Sequence, residues 1–146
     1  MSAIRICIDT SVFLNVINRE NPFYSYSRKI LSAIDDGKIE GSVPTLVIAE
    51  ILTGYFANRR DTEAEEFLSV SSTNENLKIV PLSTEIALIS SRIRASTGLR
   101  LLDAVVLGTA VQWHADFLVT NDEHFPKVFG NLKVLDSRGM AVNLND

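Results

Sequence analysis

The stretch that most constrains the fold is residues 101–125, LLDAVVLGTAVQWHADFLVTNDEHF. Its periodicity predicts an apolar helix over residues 102–113 and a short apolar strand over residues 117–120. Asp103 stands at the head of this helix, and Asp122 follows the strand. One helix–strand unit therefore carries a carboxylate at each of its two ends.

Two further acids interrupt apolar sequence in the first third of the chain. Asp9 directly follows a predicted strand over residues 3–8, and Glu50 is the only charge in a predicted helix over residues 45–56. That helix is apolar around most of its circumference, which indicates burial. A buried, unpaired carboxylate costs several kcal/mol, so we expect Glu50 to have a partner, either an arginine or a metal ion.

Short strands alternate with helices along the whole chain. Besides the two strands above, residues 42–43, 78–81 and 133–135 have strand character. This order predicts an α/β fold, an α/β/α sandwich with a mainly parallel central sheet of four to five short strands. We expect residues 1–146 to form a single domain. Such sheets bind ligands beyond the carboxyl ends of their strands, where Asp9 and Asp122 are expected to meet.

Composition narrows the function only weakly. The net charge is −4, from 14 basic and 18 acidic residues, and a nucleic-acid-binding protein is more often basic. Setting the four acids aside leaves 18 − 4 = 14 acidic residues, which balance the 14 basic ones. The chain has no apolar run near the roughly 20 residues of a membrane span, and Cys7 is its only cysteine. We therefore expect a cytoplasmic protein with no membrane association and with Cys7 as a buried structural thiol.

The four acids together predict a shared metal site. Clustered carboxylates repel one another and need cations or protons as compensation. Oxygen ligands without histidine or cysteine at ligand spacing favour Mg²⁺ or Mn²⁺, and a pair of such ions suits the attack of water on a phosphodiester. Asp9, Asp103 and Asp122 are then direct ligands, and Glu50 is a ligand or the group that orients and deprotonates the water.

Polar residues next to the acids could support such a site. Thr10, Ser11, Thr120 and Asn121 are predicted to hydrogen-bond ligands, water or phosphate around it, although the same residues are common in turns. The histidines are His114, expected to be structural, and His124, expected to be a surface residue of a turn beside Asp122.

Four motifs resemble the PIN-domain family of metal-dependent ribonucleases. They are ICIDTSVFL around Asp9, VPTLVIAEIL around Glu50, LLDAVVLGTA around Asp103 and FLVTNDEHF around Asp122. They occur in the order and spacing of that family, and the size resembles the VapC-type toxins of toxin–antitoxin pairs. Gly108 stands where the family more often has alanine, and Trp113-His114 replaces small or polar residues.

The resemblance implies a function. It implies Mg²⁺- or Mn²⁺-dependent endonuclease action on RNA, with transfer, ribosomal or messenger RNA as the substrate. It also implies a homodimer, and inhibition by a cognate antitoxin protein that occupies the acidic groove.

Substrate contacts are harder to assign from the sequence. Arginines flank the predicted site at positions 92, 94 and 100, and also at positions 59 and 60, where they could pair with phosphates or remain solvated. Aromatic residues that could stack on bases, form a dimer contact or pack in the core are Phe13, Tyr24, Tyr55 and Phe56.

Two other classes of protein remain open at this point. A haloacid-dehalogenase-like or receiver-like phosphoryl-transfer domain also has an aspartate after its first strand. It would be expected to carry a second aspartate two residues later or a late lysine, and Ser11 occupies the first of these places. The other alternative is a non-catalytic module whose acids bind a structural cation.

Overall fold

The computed structural model describes residues 3–144. The ends of the predicted single domain, residues 1–2 and 145–146, lie outside this range. The described residues contain one six-stranded sheet in the order β3-β2-β1-β4-β6-β5. Its strands are β1 Arg5–Ile8, β2 Glu40–Pro44, β3 Leu77–Val80, β4 Phe117–Val119, β5 Val128–Phe129 and β6 Leu132–Leu135.

Helices connect the strands and cover the sheet. They are α1 Thr10–Ile17, α2 Tyr24–Asp35, α3 Thr45–Ala57, α4 Asp61–Thr73, α5 Thr84–Thr97, α6 Leu101–Gln112 and α7 Ser137–Asn143. The side chains of Ile6, Cys7 and Ile8 in the central strand β1 are fully buried. Successive strand residues point to opposite faces, so helices cover both faces of the sheet here. The predicted α/β/α sandwich with a mainly parallel sheet is confirmed.

The strand pairings bring the two predicted aspartate-bearing strands together. β1 pairs in parallel with β4, and Ile8 lies opposite Val119. The carboxyl ends of both strands therefore reach the same edge of the sheet at adjacent positions. The prediction that these strands are neighbours is confirmed.

The sheet has one strand more than the upper limit of the prediction. The added strand, β5, has two residues and pairs antiparallel with β6 across a turn in which Gly130 has a φ of 60°. Two residues are too few to produce a periodic pattern, so the sequence does not reveal this strand. Helix α7, which the sequence analysis also did not predict, begins where Asp136 accepts a hydrogen bond from the Gly139 N–H at 2.7 Å.

Helix α6 is the most deeply buried helix, with every residue from Asp103 to Ala110 buried. It packs against α5, which begins at a Ser83 cap and ends at Gly98, whose φ of 75° is left-handed. This left-handed residue turns the chain directly into the start of α6. The α5–α6 turn thereby fixes where Asp103 enters the protein.

The Trp113-His114 pair just after α6 has a structural explanation at Trp113. The Arg5 guanidinium lies 3.8 Å from the centre of a Trp113 ring, and its Nη2 donates to the Trp113 carbonyl oxygen at 2.6 Å. Arg5 begins β1, so this contact lies at the edge of the sheet opposite Asp9. His114 follows with a left-handed φ of 57° and an exposed side chain.

No helix within residues 3–144 is both long and apolar enough to cross a membrane. The burial predicted for Cys7 is observed, and it raises the pKa of the thiol to about 12.

Candidate active site

Asp9 and Thr120 form the centre of the site, at the ends of β1 and β4. The Asp9 N–H donates to the Val119 carbonyl oxygen at 3.1 Å, which extends the parallel ladder by one residue. Thr120 Oγ1 donates to Asp9 Oδ2 at 2.7 Å. Asp9 is 8% exposed, and its extended backbone makes it the N-cap of α1, although its side chain does not cap the helix.

Asp103 enters the site from the first turn of α6. As the third residue of this helix, it lies where unpaired backbone N–H groups and the helix dipole favour a negative charge. Its side chain is 11% exposed and accepts two hydrogen bonds from Arg100, from Nε at 3.0 Å and from Nη2 at 3.3 Å. The predicted position of Asp103 at a helix N-terminus is confirmed.

Glu50 differs from the prediction in its burial. The sequence predicts a buried carboxylate, but Glu50 is exposed on α3. Only one side of α3 faces the core, through Val47, Ile48 and Ile51, so its apolar residues extend past the buried face. Glu50 Oε1 accepts a hydrogen bond from Thr10 Oγ1 at 2.9 Å. Its partner is therefore a hydroxyl group and not an arginine, and the hydroxyl belongs to the residue after Asp9.

Asp122 lies in the loop after β4, with its side chain 28% exposed. Its Oδ1 accepts the His124 N–H at 2.9 Å and lies 2.7 Å from His124 Nδ1. The His124 N–H is the main reason that the pKa of Asp122 is lowered, and the charge of Arg100 acts in the same direction. Asp122 is thus a carboxylate that is readily ionised.

Electrostatic interactions link all four acids. Burial is the main reason that the pKa of Asp9 is raised, and the negative charges of Glu50 and Asp103 raise it further. Arg100 interacts with Asp103 most strongly and also with Asp122 and Glu50. We refer to Asp9, Glu50, Asp103 and Asp122 as the acidic site.

The four polar neighbours divide into two pairs. Thr10 and Thr120 donate hydrogen bonds directly to members of the acidic site, to Glu50 and to Asp9 respectively. Ser11 and Asn121 instead bind each other, since Ser11 Oγ accepts the Asn121 N–H at 3.0 Å. The Asn121 side chain belongs to a separate network, in which its carboxamide forms hydrogen bonds with Asn15 and Ser137.

This buried polar network was not predicted from the sequence. Asn121 Nδ2 donates to Asn15 Oδ1 at 2.7 Å and to Ser137 Oγ at 3.0 Å, while its Oδ1 accepts the Ser137 N–H at 2.8 Å. Ser27 completes the network with contacts of 2.9 Å to Asn15 and 2.6 Å to Ser137. The one sequence signal is Asn15, a polar residue within the run of apolar residues from Val12 to Ile17 in α1. The network ties the Asp122 loop to α1, α2 and α7.

Two open grooves meet at Asp122. One, of about 610 Å³, is lined by the α5–α6 turn together with Arg100, Asp103 and His124. The other, of about 660 Å³, extends from Asp122 past Phe23 and Lys127. Asp122 lines both, so a ligand extended along the protein surface can reach Asp122 from either side.

Only one of the arginines considered above contacts the acidic site. Arg100 binds Asp103, whereas Arg94 Nη1 donates to the Leu99 carbonyl oxygen at 2.6 Å and so fixes the α5–α6 turn. Arg60 pairs with Glu63 and lies 5.0 Å from the centre of the Tyr55 ring.

The aromatic residues have mixed environments. Phe13 is buried and packs edge-to-face on Phe67 with 5.7 Å between ring centres, so it belongs to the core. Tyr55 also packs on Phe67, with 6.1 Å between ring centres. Phe56 is 50% exposed, and Tyr24 lies 5.9 Å from the Arg19 guanidinium.

The acidic site fits a divalent cation in its chemistry but does not enclose one in this arrangement. Its donors are carboxylate oxygens, which suit hard cations such as Mg²⁺ and Mn²⁺. Over residues 3–144, however, no three acidic, histidine or cysteine side chains are placed to bind one ion. Each carboxylate instead contacts a protein group. Asp9 contacts Thr120 and Glu50 contacts Thr10. Asp103 contacts Arg100 and Asp122 contacts His124. Binding of one ion by three of these carboxylates therefore requires side-chain rotation.

The fold and the site define an α/β/α protein with an acidic groove at the carboxyl edge of a mainly parallel sheet. The sequence then identifies the family, because residues 6–130 match the model described as the PIN domain. The match covers most of the chain, and the chain belongs to the PIN domain family. No curated protein matches the sequence.

Solved structures share this fold at low sequence identity. VapBC2 from Rickettsia felis, bound to a DNA fragment from its promoter, is 16% identical with a TM-score of 0.70, covering 91% of this chain and 98% of that one. A toxin–antitoxin complex from Klebsiella pneumoniae is 20% identical with a TM-score of 0.67, covering 90% and 95%. VapC20 from Mycobacterium tuberculosis, described as a toxin that cleaves the sarcin–ricin loop, is 10% identical with a TM-score of 0.67, covering 88% and 98%. At these identities the likeness concerns the fold.

Proposed function

We propose that the protein is a Mg²⁺- or Mn²⁺-dependent endoribonuclease whose active site is the acidic site. The observation that carries this proposal is that Asp9, at the carboxyl edge of the sheet, is within reach of the negative charges of Glu50 and Asp103, while Asp103 and Asp122 line one groove. Membership of the PIN domain family supports it, as does the shared fold with VapC20, which is described as an RNA-cleaving toxin.

We assign cation binding to the three aspartates of the acidic site and proton transfer to its exposed glutamate. Asp9, Asp103 and Asp122 would hold the divalent cation. When bound, such a cation lowers the pKa of a water molecule and stabilises the negative charge on the leaving oxygen. Thr120 holds Asp9 Oδ2, which fixes the orientation of that carboxylate and leaves Oδ1 directed away from this bond.

Glu50 is suited to proton transfer. It is the exposed member of the acidic site, and Thr10 orients its Oε1. A water molecule from the solvent can therefore reach its carboxylate. We assign to Glu50 the orientation of the attacking water and the acceptance of its proton at a carboxylate oxygen.

We further propose that the protein is the toxin of a toxin–antitoxin pair, acting in the cytoplasm as a homodimer and inhibited by a cognate antitoxin. The structural neighbours include toxin–antitoxin complexes from Klebsiella pneumoniae and Rickettsia felis, which supports this part of the proposal. Transfer, ribosomal and messenger RNA are the candidate substrates.

The deciding experiment measures the cleavage of RNA by the purified chain. We expect cleavage with Mg²⁺ or Mn²⁺, none with a chelator, and at least a hundredfold slower cleavage by Asp9→Asn and Asp122→Asn. Asp36→Asn, a change of an exposed aspartate at the end of α2, is the matched control and should cleave at the parent rate. Parent-like cleavage by both active-site variants would assign the activity elsewhere. Binding of Mn²⁺ without any cleavage would identify a cation-binding module instead.

A further inference from the structure

Among residues 3–144, Arg100 is the residue that both donates hydrogen bonds to the Asp103 side chain and forms an ion pair with it. It precedes the first residue of α6 and is the N-cap of that helix. Its Nε binds Asp103 Oδ2 at 3.0 Å and its Nη2 binds Oδ1 at 3.3 Å. Both oxygens of the Asp103 carboxylate are therefore engaged by one guanidinium group.

The two partners differ sharply in exposure. The Arg100 side chain is 78% exposed, whereas the Asp103 side chain is 11% exposed. A nearly buried carboxylate needs a compensating positive charge, while an exposed guanidinium stays hydrated and can leave the pair at little cost in free energy. The pair is thus built so that the carboxylate stays fixed and the cation can be exchanged.

The surroundings of Arg100 favour a cation at this place. Asp122 lines the same groove as Arg100 and Asp103, and Glu50 also attracts the guanidinium. A single arginine therefore supplies positive charge to a region that contains three carboxylates. A divalent cation bound to Asp103 would supply the same compensation at the same oxygens.

We propose that Arg100 is a built-in counter-ion of Asp103, which a divalent cation must displace to bind the acidic site. This inference rests on the proposed function, because it concerns the same carboxylates. The Arg100 guanidinium would offset part of the repulsion among the four acids whenever no cation is bound. It also implies that the affinity for metal is set partly by the strength of the Arg100–Asp103 pair.

The test compares the binding of Mn²⁺ alone by the full chain and its variants after treatment with a chelator. Isothermal titration with MnCl₂ at constant ionic strength is carried out on the parent, Arg100→Gln and Arg28→Gln. Arg28 is an exposed arginine of α2, so its change alters the net charge equally. We expect Arg100→Gln to bind Mn²⁺ up to roughly fivefold more tightly than Arg28→Gln, the range expected when an ion pair with one exposed partner is removed.

Thermal unfolding gives a second readout that does not depend on activity. Without metal, Arg100→Gln should unfold at a lower temperature than Arg28→Gln, because Asp103 loses its counter-ion. Saturating Mn²⁺ should narrow this difference. Arg100→Lys keeps the charge but not the two-pronged geometry, so its Mn²⁺ affinity should lie between those of the parent and Arg100→Gln.

The outcomes separate this inference from the proposed function. The counter-ion role alone is overturned if the parent binds Mn²⁺ and cleaves RNA but Arg100→Gln binds Mn²⁺ no more tightly than Arg28→Gln. Absence of Mn²⁺ binding in the parent and all variants overturns both. Tighter binding by Arg100→Gln, together with its metal-dependent recovery of stability, establishes the counter-ion role even if RNA proves not to be the substrate.

Discussion

Thr120 and Asp9 lie side by side at the ends of two parallel strands, with Thr120 Oγ1 donating to Asp9 Oδ2 at 2.7 Å. The same Oγ1 accepts the Asp122 N–H at 3.1 Å. One hydroxyl group thereby connects two members of the acidic site, as donor to one and acceptor from the other. Threonine at this position sets the spacing between the first strand's aspartate and the loop that carries Asp122.

Removal of this hydroxyl should impair catalysis more than folding. Thr120→Val keeps the shape of the side chain but leaves Asp9 and the Asp122 N–H without their shared partner. A hydrogen bond to a charged group contributes about 1.5–3 kcal/mol, which corresponds to a roughly 10- to 100-fold slower RNA cleavage at saturating Mn²⁺. Thr120→Ser retains the hydroxyl and should cleave within about threefold of the parent. Equal rates for Thr120→Val and Thr120→Ser would show that the hydroxyl has no part in the reaction.

Neutralising Asp9 should stabilise the metal-free protein. Burial is the main reason that the pKa of Asp9 is raised, and the charges of Glu50 and Asp103 add to it. Ionisation of Asp9 therefore opposes folding. We expect Asp9→Asn to raise the melting temperature in the presence of a chelator, by roughly 2–4 °C for each kcal/mol of desolvation and repulsion relieved. Glu50→Gln and Asp103→Asn should act in the same direction, although the latter also loses its pair with Arg100.

The pH dependence of this gain in stability follows from the raised pKa of Asp9 in the folded protein. Below the pKa of Asp9 in the unfolded chain, the carboxyl group is protonated in both the folded and the unfolded protein, so Asp9→Asn adds little stability. As pH rises from there through the higher pKa of the folded protein, the parent loses stability that Asp9→Asn keeps. Melting temperatures of both proteins and of Asp36→Asn across this range measure the difference. A gain that is independent of pH, or one shared by Asp36→Asn, would contradict an electrostatic origin.

The positions of the four acids could be predicted because strands and helices of apolar residues made each acid conspicuous. Asp9 and Asp122 follow strands, and parallel pairing of β1 with β4 brings their ends together. The prediction that Glu50 is buried was wrong, because an apolar helix can leave part of its apolar surface exposed. The sequence does not reveal which hydrogen-bond donor each carboxylate contacts, and the pairing of Asp103 with Arg100 is an example.

The buried network shows a second limit of sequence reasoning. Asn15 and Ser27 contact residues more than 100 positions later in the chain, Asn121 and Ser137. Each of these side chains, taken alone, is equally consistent with a surface turn or a helix cap. Their partners are determined only when the strands and helices have assembled.

Gly108 has a packing reason that can be tested. A Cβ atom at this position would clash with Ser90 Oγ and would lie 3.3 Å from the Ser90 backbone nitrogen, so an alanine would displace the Ser90 side chain and press on the α5 backbone. Gly108→Ala should destabilise the protein by about 1–3 kcal/mol, partly offset by the higher helix propensity of alanine. Chemical denaturation measures this change in the free energy of unfolding.

The Ser90 hydroxyl supplies the matched control for this contact. Its Oγ is buried and has no hydrogen-bond partner within the described part of the chain. Ser90→Ala alone should therefore be neutral or stabilising, by up to about 1 kcal/mol. The double variant Ser90→Ala/Gly108→Ala should recover part of the stability lost in Gly108→Ala. Strictly additive effects in this cycle would show that the two side chains do not compete for the same space.

Asn121 should act on the acidic site through the network that holds its loop. Asn121→Ala removes contacts to Asn15 and Ser137 and leaves their polar atoms without this partner, at a cost of about 1–3 kcal/mol in the free energy of unfolding. Because Asp122 is the next residue, we also expect RNA cleavage to slow by roughly tenfold, as for a small displacement of a catalytic group.

The matched variant is Asn15→Ala, which disrupts the same network from α1. If Asn121 acts by holding the loop, both variants should lose comparable stability and both should slow cleavage, with little change in KM for RNA. If Asn121 instead contacts the substrate, only Asn121→Ala should slow cleavage, and it should raise KM. Denaturation curves and steady-state cleavage kinetics on the two variants distinguish these outcomes, since Asn15 contacts Asn121 directly and is linked to Ser137 through Ser27.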